Sequence, residues 1–369
     1  MDTRRQVVVV GGGFTGVKAA LVAARQDDVD VTLISKSNSL LPYPTTALIL
    51  SGRDVSGLAV SIKESIAAFS QITLKIDGII DIDPLKKTVI GRKKDYQYDE
   101  LVLAVGQTPP FRATNTRSHR SYDGTTGGLK RFTHDLHNLV ATDVGHDVTV
   151  AVVGGGKNGV EVAGTLREQV EQIALAHHVH RTKVTIVLYE KKARLLPKFS
   201  ETASRKVAKR LQKAGVIIKT RSTFYSSDNM QTLINHQQRP IDMVIWTTAA
   251  EPQPLIREHR DMFHVSKDGR VTVNDRNEAY PHIFAVGGCA RQPKRHLTHI
   301  RMLGHWAYVE WRGVYVAGLA GAVVSRLIDI DALSQILPLR QAYQTWRNQR
   351  NSAEICQLCQ RYVKKSDNL

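Results

Sequence analysis

The sequence predicts an α/β chain built on two strand–turn–helix–strand units, and three observations predict it. A glycine turn of the form GxGxxG occurs twice, a valine-rich strand precedes each copy, and a helix-like run and second strand follow each. The first unit comprises the strand Gln6–Val10, the turn Gly11-Gly12-Gly13-Phe14-Thr15-Gly16, the helical run Val17–Arg25 and the strand Val31–Ile34. The second comprises the strand Val148–Val153, the turn Gly154-Gly155-Gly156-Lys157-Asn158-Gly159, the helical run Val160–Glu171 and the strand Lys183–Tyr189. The spacing has a physical cause. The first glycine makes the tight turn, the second lets a pyrophosphate approach the backbone, and the third lets helix and strand pack closely. The helix N-terminus then offers free N–H groups and a partial positive charge to the phosphates. One such turn is equally well explained as an ordinary strand–helix connection; two in the same context predict two dinucleotide sites.

The residue ending the second strand of each unit normally holds a ribose hydroxyl with a carboxylate. In the second unit this residue is Glu190, whose charge accepts from a 2′-OH and repels a 2′-phosphate, favouring NADH over NADPH. Lys191 and Lys192 follow at once and pull the other way. In the first unit the equivalent is Ser35, flanked by Lys36; a serine still bonds a hydroxyl but brings no charge.

Length and charge bound the rest. A chain of 369 residues suits two or three domains, and 42% hydrophobic with 23% charged residues excludes a wholly disordered one. A net charge of +17 attracts polyanions, whether phosphorylated cofactors, an anionic lipid surface or nucleic acid. No nucleic-acid module accompanies it, so any such binding is nonspecific. Three cysteines are too few for a disulfide framework and predict a reducing compartment. The valine run near the N-terminus is too short for a signal segment, Asp2 excludes N-myristoylation, and the longest apolar stretch, Val314 to Val324, is too short to span a bilayer.

From Gln6 to about Ala290 the chain resembles the two-domain flavoproteins, most closely the type II NADH:quinone oxidoreductases and their apoptosis-inducing-factor-like relatives. The resemblance is carried by VVVVGGGFTGVKAA, by Tyr98–Gly106 (YDELVLAVG), by VVGGGKNGVEVAG, by Arg194–Ser200 (RLLPKFS), by Val244–Ala249 (VIWTTA) and by Ile283–Ala290 (IFAVGGCA). It implies an α/β fold of two Rossmann-like FAD/NAD(P)-binding domains, the NADH domain inserted in the FAD domain, plus a short C-terminal region. The implied boundaries are 1–112 with 246–304 for FAD, 113–245 for NADH and 305–369 for membrane attachment or dimerisation. It implies FAD contacts at Gly11, Gly13, Phe14, Thr15, Gly16, Ser35, Lys36, Ile79, Ala104, Gly106, Gly287 and Gly288. It implies NADH contacts at Gly154, Gly156, Asn158, Gly159 and Glu190. Glu161 matches the glutamate that the family places beside the nicotinamide and flavin rings; from residue type alone it equally serves as a dipole partner at a helix N-terminus. The implied activity is hydride transfer from NADH to flavin and then to a quinone, by a cytoplasmic enzyme peripheral on the inner face of a membrane.

The chain departs from the family at Ser35 and Gly288, where carboxylates are usual. Each lost hydrogen bond costs about 1 kcal/mol, and the two together weaken FAD binding about tenfold to a hundredfold. The family's glutamine-bearing quinone motif is not legible; the chain reads His305-Trp306-Ala307-Tyr308-Val309-Glu310-Trp311-Arg312-Gly313 there. Reduction of a soluble electron carrier, or a scaffold with weakened FAD binding, are therefore alternative readings.

Leu303, Trp306, Trp311 and Tyr315 are expected around one helix, and Ile336, Leu339, Tyr343 and Trp346 on one face of a second, with Arg340, Arg347 and Arg350 elsewhere on it. That face suits a membrane interface or packing on the chain's own domain or a dimer partner. The residues from Arg291 onward carry 12 Lys and Arg against 5 Asp and Glu, and Lys191 to Arg221 carries 11 basic residues with Glu201 its one acid. Cys289 is expected to be structural and Cys356-Gln357-Leu358-Cys359 incidental; with no cysteine before Cys289, dithiol chemistry at the flavin is not expected. His177, His178 and His180, and again His296, His299 and His305, bunch without completing a metal set and are expected in solvated loops; the resemblance implies that the acceptor pocket lies near His299 and His305.

Overall fold

A computed structural model describes residues 4–40, 50, 59–107, 120–122, 126–142, 147–178, 184–226, 232–234, 237–239, 241–248, 252–291, 297–302 and 306–351. In chain order the elements that position the site are β1 (Arg5–Val10), α1 (Phe14–Ala23), β2 (Val29–Ser35), β3 (Ile72–Ile76) and β4 (Glu100–Leu103). There follow β5 (Arg120–Tyr122), α2 (Thr126–Ala141), β6 (Val148–Val153), α3 (Lys157–Ala176), β7 (Val184–Tyr189), α4 (Glu201–Lys213), β8 (Ile217–Lys219) and β9 (Met243–Trp246). The chain then runs through β10 (Glu278–Tyr280), β11 (Ile283–Ala285), β12 (Leu297–Met302), β13 (Trp306–Trp311), β14 (Val314–Gly318), α5 (Leu319–Ser334) and α6 (Leu339–Asn351).

Two parallel sheets organise these elements. The first has the order β10-β11-β4-β1-β2-β3, parallel except at β10, and the second has the all-parallel order β5-β9-β6-β7-β8. Every strand of the second lies in sequence between β4 and β10 of the first, so one Rossmann-like unit is inserted in the other. The valine runs of β1 and β6 are buried almost without interruption, as strands covered on both faces must be. A three-stranded antiparallel sheet over Ile79–Asp83, Thr88–Gly91 and Asp95–Gln97 sits between β3 and β4 in the chain.

The C-terminal part departs from expectation. Trp306, Trp311 and Tyr315 lie on the antiparallel strands β13 and β14, not on a helix, and Leu303 lies outside the described residues. Arg312 and Gly313 both take positive φ, 49° and 87°, and close a two-residue hairpin pairing Trp311 with Val314. Positive φ at both central positions matches the strand twist, and the β-branched and aromatic residues on either side favour the pleated surface. The second apolar face is also divided. Ile336 precedes Pro338, outside α6, and the helix begins only at Leu339. Ile336 and Ala342 are buried and Trp346 packs with them, while Leu339 and Tyr343 stay exposed.

This C-terminal unit bridges the two nucleotide units. Ile300 and Tyr308 belong to the core of the second unit with Val150, Val160 and Leu211, while Leu333, Ile336, Leu337 and Ala342 belong to the core of the first with Val17, Ala20 and Leu21. Lys18 Nζ on α1 also donates to Gln335 Oε1 at 2.6 Å. No helix among the described residues is long and apolar enough to cross a membrane.

Candidate functional site

Both glycine turns have the geometry that their spacing requires. Gly11 and Gly154 take φ of +120° and +114°, which an L side chain adopts only with strain. A Cβ at Gly16 would collide with the Gly11 carbonyl, and one at Gly159 with the Gly154 carbonyl, so each helix starts hard against its own turn. The middle of each turn is the opposite. Among the described residues, a Cβ at Gly13 or Gly156 meets nothing within 4 Å, so the backbone there stands open to a ligand. Gly13 and Gly156 are also the N-caps of α1 and α3, with no side-chain cap and no acid in the first helical turn. The N-terminal N–H groups are thus left to a ligand, and the cradle fits a dinucleotide pyrophosphate in each unit.

The structure gathers the residues expected at FAD around the first turn. A Cβ at Gly11 would strike the Ala104 carbonyl at the end of β4, and Ala104 Cβ lies 3.3 Å from one at Gly16. Gly287 has φ +75° and a Cβ there would meet Thr15 Oγ1 at 2.7 Å, while a Cβ at Gly288 would stand 3.4 Å from Gly106 Cα. Gly11, Thr15, Gly16, Ala104, Gly106, Gly287 and Gly288 therefore form one locus. Phe14 opens α1 and packs into the first core. Ser35 ends β2 buried beneath Gly12 and accepts from the Ser37 N–H at 3.3 Å; Lys36 beside it is exposed. Ile79 packs against the core cluster containing Val10 and Ile34. Cys289 is buried, its thiol directed at the Leu103 and Val286 carbonyls at 3.3 and 3.2 Å, and burial pushes its pKa up, which disfavours a thiolate. Cys356 and Cys359 lie outside the described residues.

In the second unit Glu190 follows β7 and lies buried beneath Gly155, as Ser35 lies beneath Gly12. Its Oε2 accepts from the Gly155 N–H and its Oε1 from the Lys192 N–H, each at 2.7 Å. Two main-chain donors fix the carboxylate at the turn, each oxygen keeping a lone pair for a ribose hydroxyl. Asn158 is exposed at the start of α3. Thr247, after β9, was not singled out by the sequence: its hydroxyl contacts the Val153 and Gly154 carbonyls at 3.0 and 2.9 Å and braces the turn.

Glu161 is the fifth residue of α3, past the first turn, so the dipole role fits it poorly. Its Oε1 accepts from the Arg301 N–H of β12 at 3.0 Å, and burial pushes its carboxyl above the usual range, against the pull of Lys157 and Arg301. Arg301 in turn pairs through Nη1 with Asp329 of α5, a contact no short motif signals.

Two histidine expectations are corrected. His177 caps α3 half-buried, its Nε2 3.1 Å from His137 Nε2, because the helix end packs on α2. His299 lies on β12 and not in a loop; it is half-buried, and its Nε2 is 2.7 Å from Ser325 Oγ. His178 is exposed, and His180, His296 and His305 lie outside the described residues. Among the described residues no group of three or more His, Cys, Asp or Glu is placed to hold a metal ion.

Comparison with known proteins agrees with this geometry. The family model described as pyridine nucleotide-disulphide oxidoreductase matches residues 5–302. The chain is 26% identical over 303 residues to an NADH dehydrogenase-like protein of Bacillus subtilis, covering 78% of each chain. It is 26% identical over 313 residues to the type II NADH:quinone oxidoreductase NdhA of Mycobacterium tuberculosis, covering 77% of this chain and 66% of that protein. In fold it resembles NDH2 from Plasmodium falciparum, solved in complex with NADH, with a TM-score of 0.77 at 14% identity over 94% of this chain and 97% of that one.

Proposed function

Because the chain belongs to the pyridine nucleotide-disulphide oxidoreductase family, we propose that this FAD-dependent NAD(P)H oxidoreductase is an NADH:quinone oxidoreductase acting at a membrane surface. The observation that carries the reading is the pair of uncapped glycine turns on two sheets, with Glu161 beside the second. FAD, when bound, would accept the hydride of NADH and pass its two electrons on to a quinone. The chain supplies the rest. Gly11, Gly13 and Gly16, with Thr15, Ala104, Gly106, Gly287 and Gly288 around them, hold FAD; Gly154, Gly156, Asn158 and Gly159 receive the NADH pyrophosphate; Glu190 accepts from its adenosine ribose. Glu161 faces the nicotinamide and fixes its approach, and residues 1–112 with 246–304 serve as the FAD domain around an NADH domain at 113–245.

Attachment to an anionic leaflet is assigned to residues 305–369 and the basic face of α4. Val314, Leu319, Val323, Leu327, Leu339 and Tyr343 are exposed large apolar residues of the C-terminal unit. Lys206 of α4 stands 5.8 Å over the Tyr315 ring, joining that apolar surface to Arg205, Lys209 and Lys213 on the same exposed helix. The test is the absorption spectrum of purified protein before and after anaerobic NADH. A flavin band bleached by NADH and restored by a short-chain quinone is expected. Protein that cannot be loaded with FAD refutes the enzyme, and bleaching reversed by an acidic electron carrier but by no quinone refutes the acceptor.

A further inference from the structure

A set of polar contacts joins α3, β12 and α5. Arg301 contributes two contacts at once: its N–H holds Glu161, and its guanidinium pairs with Asp329. Two residues earlier on the same face of β12, His299 bonds Ser325, one turn before Asp329 on α5. Two rungs, His299 to Ser325 and Arg301 to Asp329, therefore fasten β12 to α5. The Asp329 side chain is 14% exposed, so its charge is compensated inside the protein and not by water. Past α5 the chain packs on α1 of the first unit.

We propose that Asp329 is a positioning residue for the nicotinamide nucleotide: it anchors the Arg301 segment whose N–H fixes Glu161, so the affinity for NADH follows the state of the Arg301–Asp329 pair. This rests on the reading of Glu161 as the nicotinamide-side carboxylate. Removing one partner of a half-buried, charge-assisted pair leaves the other without its counter-charge, and the strand that carries both Arg301 contacts loses one of its two rungs. The pH dependence has a definite sign. Burial and the Glu161 charge lift the Asp329 carboxyl, Arg301 and Lys157 lower it, and the balance stands at about 6. His299, whose pKa burial with Arg301 and Lys157 holds down to about 3, stays neutral over that range. As pH falls through about 6, Asp329 takes up a proton, the ion pair is lost and NADH binds less tightly.

The test uses the FAD-loaded full chain and the variants Asp329→Asn, Asp329→Glu and Glu161→Gln. Asp329→Asn is expected to raise the KM for NADH about tenfold, the effect of losing one charge-assisted hydrogen bond, with the KM for the acceptor unchanged. Without NADH, the Arg301 amide is expected to exchange its hydrogen about tenfold faster. Asp329→Glu should recover part of both, and the rise of the NADH KM on acidification through about pH 6 should flatten in Asp329→Asn. Unchanged amide exchange or an unchanged NADH KM in a folded Asp329→Asn overturns the proposal, as does an equal rise in both KM values. Glu161→Gln separates the failures: if it raises the NADH KM and Asp329→Asn does not, the positioning role alone falls; if it leaves that KM unchanged, the reading of Glu161 falls and the proposal with it.

Discussion

Restoring a carboxylate at Gly288 should tighten FAD. Gly288 lies outside the positive-φ region, and a Cβ there would meet Gly106 Cα at 3.4 Å, Gly106 C at 3.7 Å and Gln107 N at 3.8 Å, all ordinary contact distances. The backbone thus already accepts a side chain, and Gly288→Asp adds a charged acceptor without a steric cost. A hydrogen bond from an FAD hydroxyl to that carboxylate restores the roughly 1 kcal/mol lost with it. At about 1.4 kcal/mol per factor of ten, the Kd for FAD should fall about fivefold. Gly287→Ala, one residue earlier, is the control. With φ at +75° and a Cβ 2.9 Å from Thr15 Cβ, that substitution strains the backbone by about 1–2 kcal/mol and pushes on the first glycine turn, so FAD should bind more weakly. Titration of flavin-free protein with FAD, followed by fluorescence quenching, reads both constants. A folded Gly288→Asp protein with unchanged or weaker FAD affinity would refute the reading of Gly288 as an FAD contact.

Other parts of the site make further predictions. His299 is held neutral to about pH 3, so the unfolded chain takes up its proton first on acidification; the folded protein loses stability as pH falls below about 6.5, and His299→Gln should flatten that slope in thermal melts. Asp329 acts in the opposite sense between its raised value of about 6 and its ordinary value, where the folded state holds the extra proton, so Asp329→Asn should steepen the acid loss. Ser200 caps α4 by accepting from the Ala203 N–H at 3.1 Å and donates to Glu310 Oε2 at 2.6 Å, so Ser200→Ala should cost about 1–2 kcal/mol in chemical denaturation. Sedimentation with vesicles rich in anionic lipid should fall steeply between low and high salt, and replacing Lys206, Lys209 and Lys213 with glutamine should abolish it; binding indifferent to both would exclude the α4 face.

What the sequence made legible follows from the range of each interaction. The glycine turns depend on three residues within six and on the strands beside them, so Gly11 to Gly16 and Gly154 to Gly159 stand where their spacing puts them. Glu190 was also readable, because a strand end at fixed distance from the turn sets it beneath Gly155. The partners of Glu161 were not: Arg301 lies 140 residues away, and its main-chain N–H is a donor every non-proline residue carries. Thr247 braces the second turn from 93 residues away, its hydroxyl donating to the Gly154 carbonyl, an acceptor that every residue carries. The C-terminal unit misled for a local reason. Trp306, Trp311 and Tyr315 suit a helix or a strand alike, and the deciding feature is an Arg-Gly hairpin, a weaker signal than Asn-Gly.

The same unit changes the meaning of the excess charge. Phosphate holding accounts for little of it, because the turns offer main-chain N–H groups and Glu190 and Glu161 are themselves acidic. Arg205, Lys206, Lys209 and Lys213 carry part of the remaining charge on the exposed side of α4, beside the Tyr315 hairpin. Meanwhile the inner side of that unit packs on both nucleotide units. A single piece of chain thus carries the exposed apolar surface outside, the Arg301–Asp329 pair within, and the contact with α1 beyond it. If the exposed surface does meet a membrane, docking pulls on the strand that holds Glu161, and NADH affinity should differ between free and vesicle-bound protein. Equal NADH affinity in the two states, with vesicle binding demonstrated, would show that the outer surface and the nucleotide site are mechanically independent.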